Sequence, residues 1–117
     1  ARGPAGHYQS YTAELDSRPV GWTCIGPTPC TMATFDVYWI AVAPDCQDRH
    51  FGSTMLQHAE RVIADAGGRI VVVDTSGRPQ YLPTRIFYER QGYSVGAVLA
   101  DFYAPGDDKV VYVKRLG

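Results

Sequence analysis

The stretch that most constrains the fold is residues 36–52, which read DVYWIAVAPDCQDRHFG. An apolar segment is followed by a Pro-Asp turn, and a polar loop then leads directly into a segment with helical periodicity. The N–H groups at the start of a helix have no partners within the helix, and the helix dipole favours an anion there. A strand, a loop and a helix N-terminus in this order therefore predict a site for a phosphate-bearing ligand.

The rest of the chain predicts a mixed α/β fold. Helices are predicted over residues 52–66, where apolar residues recur at helical spacing before Gly67-Gly68, and over 84–91, between Pro83 and Gly92. Strands are predicted over residues 8–15, 20–26, 35–43, 69–74, 95–102 and 109–114.

Two of these strands define the centre of the predicted sheet. Residues 35–43 carry apolar side chains on both faces, so we expect a central strand that is covered on both sides. The helix over residues 52–66 connects it to residues 69–74, which predicts a right-handed crossover and a parallel strand pair. The last two strands form an antiparallel hairpin.

Length and composition limit the possible functions. The chain has 117 residues, which predicts a single domain over residues 1–117. A net charge of −1 disfavours a nucleic-acid partner, and no apolar run is long enough to span a membrane. The N-terminal ten residues contain no apolar stretch and therefore no signal peptide, so we expect a cytoplasmic protein.

The cysteines and histidines predict neither a disulfide framework nor a metal site. Cys24, Cys30 and Cys46 are irregularly spaced, so free, mostly buried thiols are expected, with a Cys24–Cys30 bridge as the alternative. No paired Cys-x-x-Cys motif is present and the three histidines are scattered, so no metal is expected.

Two segments carry a resemblance to a known family. Residues 47–52, QDRHFG, resemble the Q/R-x-x-G-x-G/A motif of the GNAT superfamily of acetyltransferases, with His50 in place of its first glycine. Residues 85–93, RIFYERQGY, resemble the A-x-x-FYE-x-x-GF/Y signature of the same family. The resemblance covers residues 8–116 and implies a GNAT-like sheet with two main helices.

The resemblance implies an N-acetyltransferase that moves an acetyl group from acetyl-CoA to an amine by direct attack. It implies that Tyr88 protonates the departing thiolate and that Asp36 acts as the general base, with Asp74 as the alternative base. The expected cofactor-binding residues contact either the pantetheine arm or the pyrophosphate. The first group is Ile40, Ala41 and Val42, and the second is Gln47, Arg49, His50, Phe51, Gly52 and Ser53.

The acceptor and the assembly are less constrained. We expect a small-molecule amine acceptor, while a peptide or protein acceptor and a non-catalytic acyl-CoA-binding or assembly module remain open. Members of the family normally begin with a strand and one or two helices before the N-terminal hairpin, whereas only a few residues precede Tyr8 in this sequence. The resemblance therefore implies a short member that lacks these elements. We therefore expect a two-fold homodimer with the N-terminal hairpin at or near its interface. The residues expected to be under-buried are Tyr8, Tyr11, Val20, Trp22 and Ile25.

Overall fold

The computed structural model describes residues 9–47 and 50–117. These residues form β1 (Gln9–Leu15), β2 (Arg18–Pro27), β3 (Thr34–Val42), α1 (Phe51–Asp65), β4 (Ile70–Ser76), α2 (Leu82–Arg90), β5 (Ser94–Ala104) and β6 (Asp107–Arg115). Short 3-10 helices lie at Pro44–Cys46 and Pro79–Tyr81. The strand order in the sheet is β1-β2-β3-β4-β6-β5. The predicted mixed α/β class and C-terminal hairpin are confirmed.

The chain divides into two compact units. The first contains the described residues up to Val71 together with Leu116–Gly117, and the second is Val72–Arg115. In the first unit the Arg69 N–H donates to the Ala33 carbonyl at 2.7 Å, so β4 starts beside the start of β3. This hydrogen bond fits the predicted parallel pair joined through α1, which is confirmed. A single domain over residues 1–117 stays a prediction.

In the first unit, α1 packs against one face of the β-sheet. The β1–β2 hairpin turns at Asp16 and Ser17, which both have left-handed φ angles, 52° and 67°, as a tight two-residue hairpin loop requires. α1 buries Met55, Leu56, Ala59 and Ile63. Gly21 on β2 lies so close to α1 that a Cβ atom there would clash with the Met55 sulfur. The absence of a side chain at this position therefore lets the helix approach the strand.

The face assignment of β3 differs from the prediction. Val37 pairs with Ile25 and Trp39 pairs with Cys24, so the register passes over Tyr38. Such a bulge shifts the alternation of side chains by one residue. Tyr38 and Trp39 are 41% and 47% exposed. The prediction that both faces of this strand are covered is wrong, because α1 covers one face while these side chains of the other remain exposed.

Burial on β2 also differs in part from the prediction. Val20 and Ile25 are fully buried, so the prediction that they are under-buried is wrong. Ile25 lies on the same face of the strand as Gly21, which faces α1, and Val20 lies at the register shift between β1 and β2. Trp22 is 36% exposed, as predicted. Tyr8 lies outside the described residues.

Both helices end in the same hydrogen-bonded motif. After α1, Gly67 has φ 86° and the Gly68 N–H donates to the Ile63 carbonyl at 2.8 Å. After α2, Gly92 has φ 94° and the Tyr93 N–H donates to the Tyr88 carbonyl at 3.1 Å. A glycine in the left-handed conformation followed by such a backward bond is a Schellman motif. The glycines predicted to end the helices do so.

In the second unit, hydrogen bonds hold the end of β4 to β6 and α2. Ser76 Oγ donates to Asp107 Oδ1 at 2.5 Å, and the Gly77 N–H donates to the Asp108 carbonyl at 2.9 Å. On α2, the Arg85 guanidinium donates to the Ser76 carbonyl at 2.7 Å. Every residue of β5 is exposed.

All three cysteines are free, as predicted. The prediction that they are mostly buried is wrong, because only Cys46 is buried, whereas Cys24 is half-buried and Cys30 is exposed. Neither helix of the described chain is long and apolar enough to cross a membrane.

Candidate functional site

The loop after β3 is fixed by contacts on both sides of the 3-10 turn. Cys46 is fully buried, and the Gln47 side-chain amide donates to the Val42 carbonyl at 3.2 Å. Arg18 on β2 lies 3.1 Å from Asp45, and its hydrogen bond is the main cause of the lowered pKa of that carboxyl group. Two predicted site residues, Gln47 and Val42, are therefore in direct contact.

The start of α1 is set by His50, which has φ 63° and ψ 19° in the left-handed region. The Thr54 N–H makes the first helical hydrogen bond, to the His50 carbonyl at 3.1 Å, and the His50 side chain makes no cap hydrogen bond. By their position in the first turn, the N–H groups of Phe51 and Gly52 have no acceptor within the helix. Histidine takes the conformation that glycine favours, at the position where the family motif has a glycine.

The other predicted cofactor-binding residues lie just before this loop. Ile40, Ala41 and Val42 are the last residues of β3, and all three pair with β2. Ile40 and Val42 are half-buried, whereas Ala41 is exposed. Arg49 lies outside the described residues. The predicted contacts of β3 with a pantetheine arm stay a prediction.

Asp36, the predicted base, is near the start of β3. Its carboxylate accepts a hydrogen bond from Thr28 Oγ1 at 2.8 Å, and the Thr28 N–H donates to the Thr34 carbonyl at the same distance. The carboxylate therefore also holds the loop that precedes β3. Its half-buried position leaves part of the residue accessible to solvent.

Tyr88, the predicted acid, lies in an aromatic cluster of the second unit. Only 8% of the residue is exposed. Its ring centroid lies 5.4 Å from that of Phe87 and 5.9 Å from those of Tyr93 and Tyr112. The Tyr112 hydroxyl donates to Glu89 at 2.9 Å, which fixes one wall of the cluster. The rings and the Schellman motif at Gly92 together hold Tyr88 in one position.

The electrostatic surroundings keep Tyr88 protonated. Burial, and to a smaller extent the negative charge of Asp74, raise the pKa of Tyr88 above its ordinary value. Both effects disfavour the phenolate, so the hydroxyl carries its proton at neutral pH. A tyrosine in this state can donate a proton and cannot serve as a base.

Asp74, the alternative base, is already paired. Its Oδ2 lies 3.3 Å from the Lys109 ammonium, and its side chain is 38% exposed. The carboxylate also contributes to raising the pKa of both Tyr88 and Tyr103. In the second unit, Asp74 is therefore the carboxylate that acts electrostatically on the predicted acid.

The sequence interpretation missed a cavity in the first unit. It has a volume of about 320 Å³ and lies between β1, β2 and α1. Thr54, His58 and Arg61 contribute from α1, and the ring of Tyr11 on β1 meets His58 edge-on at 5.0 Å. The spacing 54, 58, 61 places these polar residues on one helix face, a signal that the sequence contained. Among residues 9–47 and 50–117, no group of three or more His, Cys, Asp or Glu is placed to hold a metal ion.

Comparison with known proteins identifies the family. The model of the "Acetyltransferase (GNAT) domain" family matches residues 6–95. A crystal structure of a protein from Desulfovibrio desulfuricans assigned to the GNAT family of acetyltransferases is 43% identical. The match covers 98% of this chain and 72% of that one, with a TM-score of 0.94. The search of curated proteins gave no significant match.

Two more distant structures share the fold. A Bacillus subtilis acetyltransferase in complex with CoA is 18% identical, with 96% of this chain and 79% of that one covered and a TM-score of 0.86. A GNAT family acetyltransferase from Elizabethkingia anophelis with acetyl-CoA bound is 15% identical, with 97% and 79% covered and a TM-score of 0.84.

The fold and the sequence matches define the chain as an acyltransferase. It belongs to the GNAT acetyltransferase family.

The left-handed backbone at His50 predicts different effects of two substitutions on the free energy of unfolding. A non-glycine residue in this conformation costs roughly 1–2 kcal/mol, whereas glycine adds about 0.5–1 kcal/mol of chain entropy to the unfolded state. We expect His50→Gly to stay within about 1 kcal/mol of the wild type in urea unfolding. We expect His50→Val to lose more, because a β-branched residue is particularly unfavourable there.

The matched control is Gln57→Val, in the interior of the same helix at an exposed position with an ordinary backbone. Its cost should stay below about 0.7 kcal/mol, the range of helix propensities. A His50→Val protein as stable as His50→Gly would mean that the backbone at residue 50 is not left-handed in solution.

Proposed function

We propose that this protein transfers the acetyl group of acetyl-CoA to the amine of a small-molecule acceptor. The observation that carries the proposal is the position of the N-terminus of α1, which left-handed His50 starts directly after the loop that follows β3. A helix end of this kind suits a phosphate group. The complexes of two fold relatives with CoA and acetyl-CoA support the same ligand.

The cofactor would extend from the helix end along β3. Phe51 and Gly52 would offer N–H groups to the pyrophosphate, with Gln47, Arg49, His50 and Ser53 around them. The backbone of Ile40, Ala41 and Val42 would pair with the pantetheine arm. The Gln47 amide, which already bonds to the Val42 carbonyl, would connect these two parts of the binding site.

The chemistry requires a base because the attacking amine must lose a proton. An alkylamine with a pKa near 10.4 costs roughly 4–5 kcal/mol to deprotonate at pH 7. In the proposed reaction the amine nitrogen attacks the thioester carbonyl, the C–N bond forms and the C–S bond breaks. Asp36 would accept the amine proton, directly or through water.

Tyr88 would return a proton to the sulfur as CoA leaves. Its raised pKa means that the hydroxyl carries its proton at neutral pH and can act as a donor, and it also makes the phenol a weaker acid than an exposed tyrosine. The packed rings around it provide the fixed position that proton transfer needs.

The net charge of the chain supports the proposed acceptor class. A value of −1 offers no overall attraction for a polyanion such as a nucleic acid. We therefore propose a small-molecule acceptor, and we also propose that the protein is cytoplasmic.

We also propose that the protein is a homodimer that covers the exposed face of β2 and β3. Trp22, Tyr38 and Trp39 are exposed by 36%, 41% and 47% on the N-terminal strands. Exposed aromatic patches of this kind are typical of interaction surfaces. β1, which stands at the end of the strand order, adds an edge next to this face.

Acetyl-CoA should stabilise the protein, and Gly52→Val should remove that effect. Ligand at 100 times Kd adds about 2.7 kcal/mol to the free energy of unfolding, which a thermal shift measures. Valine at residue 52 would place a branched side chain at the helix end where the phosphates bind. Ala64→Val, an exposed position near the other end of α1, is the control and should keep the full shift. No shift with the wild type at millimolar acetyl-CoA would remove the proposal.

Tyr88→Phe should slow acetyl transfer while leaving the acetyl-CoA shift nearly unchanged. Loss of a general acid costs on the order of 10²–10⁴ in rate, measured as release of free CoA with an active amine. Tyr81→Phe, an exposed tyrosine before α2, should keep the wild-type rate. A Tyr88→Phe enzyme with unchanged turnover would assign the proton to another donor. A wild type that binds acetyl-CoA but acetylates no amine in a broad panel would favour the binding module.

Light scattering at micromolar concentration should give twice the chain mass of 12.9 kDa. Trp39→Glu should reduce the mass to that of the monomer, because a charge in an apolar interface is costly. Tyr81→Glu introduces the same charge at an exposed aromatic residue of the second unit and should remain dimeric. A monomer mass for the wild type would exclude the dimer.

A further inference from the structure

In the second unit, the ammonium group of Lys109 contacts both a carboxylate and an aromatic ring. Lys109 Nζ lies 3.3 Å from Asp74 Oδ2 and 4.5 Å from the centroid of the Phe102 ring. On the neighbouring strand, Leu99 stands directly opposite Lys109 in the β5–β6 register. We call the group formed by Asp74, Leu99 and Phe102 the cation box.

The backbone places Phe102 there by breaking the strand pairing. The β5–β6 register is interrupted between Leu99 and Ala104, and Asp101 within this interval has φ 57°. The Asp101 N–H donates to Asp108 Oδ1 at 3.0 Å, and Asp101 Oδ1 accepts from the Gly106 N–H at 2.7 Å. These two hydrogen bonds hold Asp101 of the irregular segment to Gly106 and Asp108. Phe102 is further supported by Tyr103, whose ring meets it edge-on at 5.1 Å.

The box has the chemistry that recognises a primary alkylammonium ion. A carboxylate oxygen accepts charge-assisted hydrogen bonds from the ammonium, and an aromatic face attracts the same positive charge. Leu99 and Phe102, exposed by 44% and 53%, offer apolar surface to an alkyl chain. The Lys109 side chain is itself a primary alkylammonium, so it already demonstrates the fit.

The box is also linked to the proposed acid. Asp74, which forms its polar wall, is one cause of the raised pKa of Tyr88. An amine held by Asp74 would therefore lie within the electrostatic reach of the phenol that is proposed to protonate the thiolate.

We propose that the cation box binds the acceptor as a primary alkylammonium ion and that Lys109 occupies it until the acceptor arrives. This inference rests on the proposed function, because it names the acceptor class of that same reaction. Asp74 and Phe102 are binding residues in it, and Lys109 is a specificity-determining competitor. The Asp74–Lys109 pair is partly exposed, with side-chain exposures of 38% and 22%, so water and a ligand can reach it.

The test is a calorimetric titration at pH 7 with hexylamine, which is protonated there, and with 1-hexanol as its uncharged match. The chain is used in full and no acetyl-CoA is present. The wild type should bind hexylammonium and should not bind hexanol measurably. Lys109→Met should bind hexylammonium about two- to fivefold more tightly, the range set by loss of an exposed competing ion pair. Lys109→Arg keeps the charge and should bind as the wild type does.

Two further variants test the walls of the box. Phe102→Leu should bind about two- to fivefold more weakly, as expected for a partly exposed cation–aromatic contact. Asp74→Asn should bind about tenfold more weakly or worse, because a charge-assisted hydrogen bond is lost. Equal binding of hexanol and hexylammonium, or unchanged binding by Asp74→Asn, would overturn the proposal. If Asp74→Asn does not fold, Lys109→Met decides alone, since tighter binding supports the box and unchanged or weaker binding excludes it.

A separate assay of acetyl transfer to hexylamine distinguishes this inference from the proposed function. Ammonium binding with the expected variant pattern, but without transfer, would support the cation box and remove the transferase reaction. Alternatively, acetyl transfer could occur with the same KM for hexylamine in the wild type, Lys109→Met and Phe102→Leu. This result would support the transferase reaction and exclude the cation box.

Discussion

Left-handed backbone at three helix ends is the constraint on which both units depend. His50 starts α1, Gly67 ends it, and Gly92 ends α2, all with φ between 63° and 94°. Each angle changes the chain direction within one residue and so sets where a helix begins or returns to the sheet. Two of the three positions carry glycine, which takes this conformation without steric cost. The third carries histidine, which accepts a moderate cost at the helix end that faces the candidate phosphate site.

The helix end at Gly92 explains how Tyr93, which is close to Tyr88 in sequence, comes to pack against it. The turn brings Tyr93 back so that its N–H meets the Tyr88 carbonyl while its ring packs on the Tyr88 ring. A contact between these two positions commonly accompanies this motif. Tyr112 closes the cluster from β6. The motif thus positions the candidate acid and, together with Tyr112, contributes to the burial that raises its pKa.

The order of strands and helices and the ends of the helices could be predicted from the sequence, because they depend on local periodicity and on glycines. The bulge at Tyr38 could not, because aromatic and apolar residues occupy both faces of β3 and alternation alone does not mark a skipped residue. The candidate phosphate loop could also be predicted, since β3, the loop and α1 follow one another directly in the sequence. The cation box was not, because Asp74 and Lys109 are far apart in sequence and Phe102 reaches Lys109 through the irregular segment at Asp101.

The strength of the Asp74–Lys109 pair decides whether an internal competitor is compatible with a working site. Removing one partner of an ion pair that is buried away from water costs about 3–5 kcal/mol. A weakly bound amine would not displace the lysine from such a pair. An exposed pair contributes only about 0–1 kcal/mol. With both side chains partly exposed, this pair is nearer the second case. Lys109 can then keep the carboxylate oriented in the free protein, while an arriving ammonium group takes over its contacts with both Asp74 and Phe102.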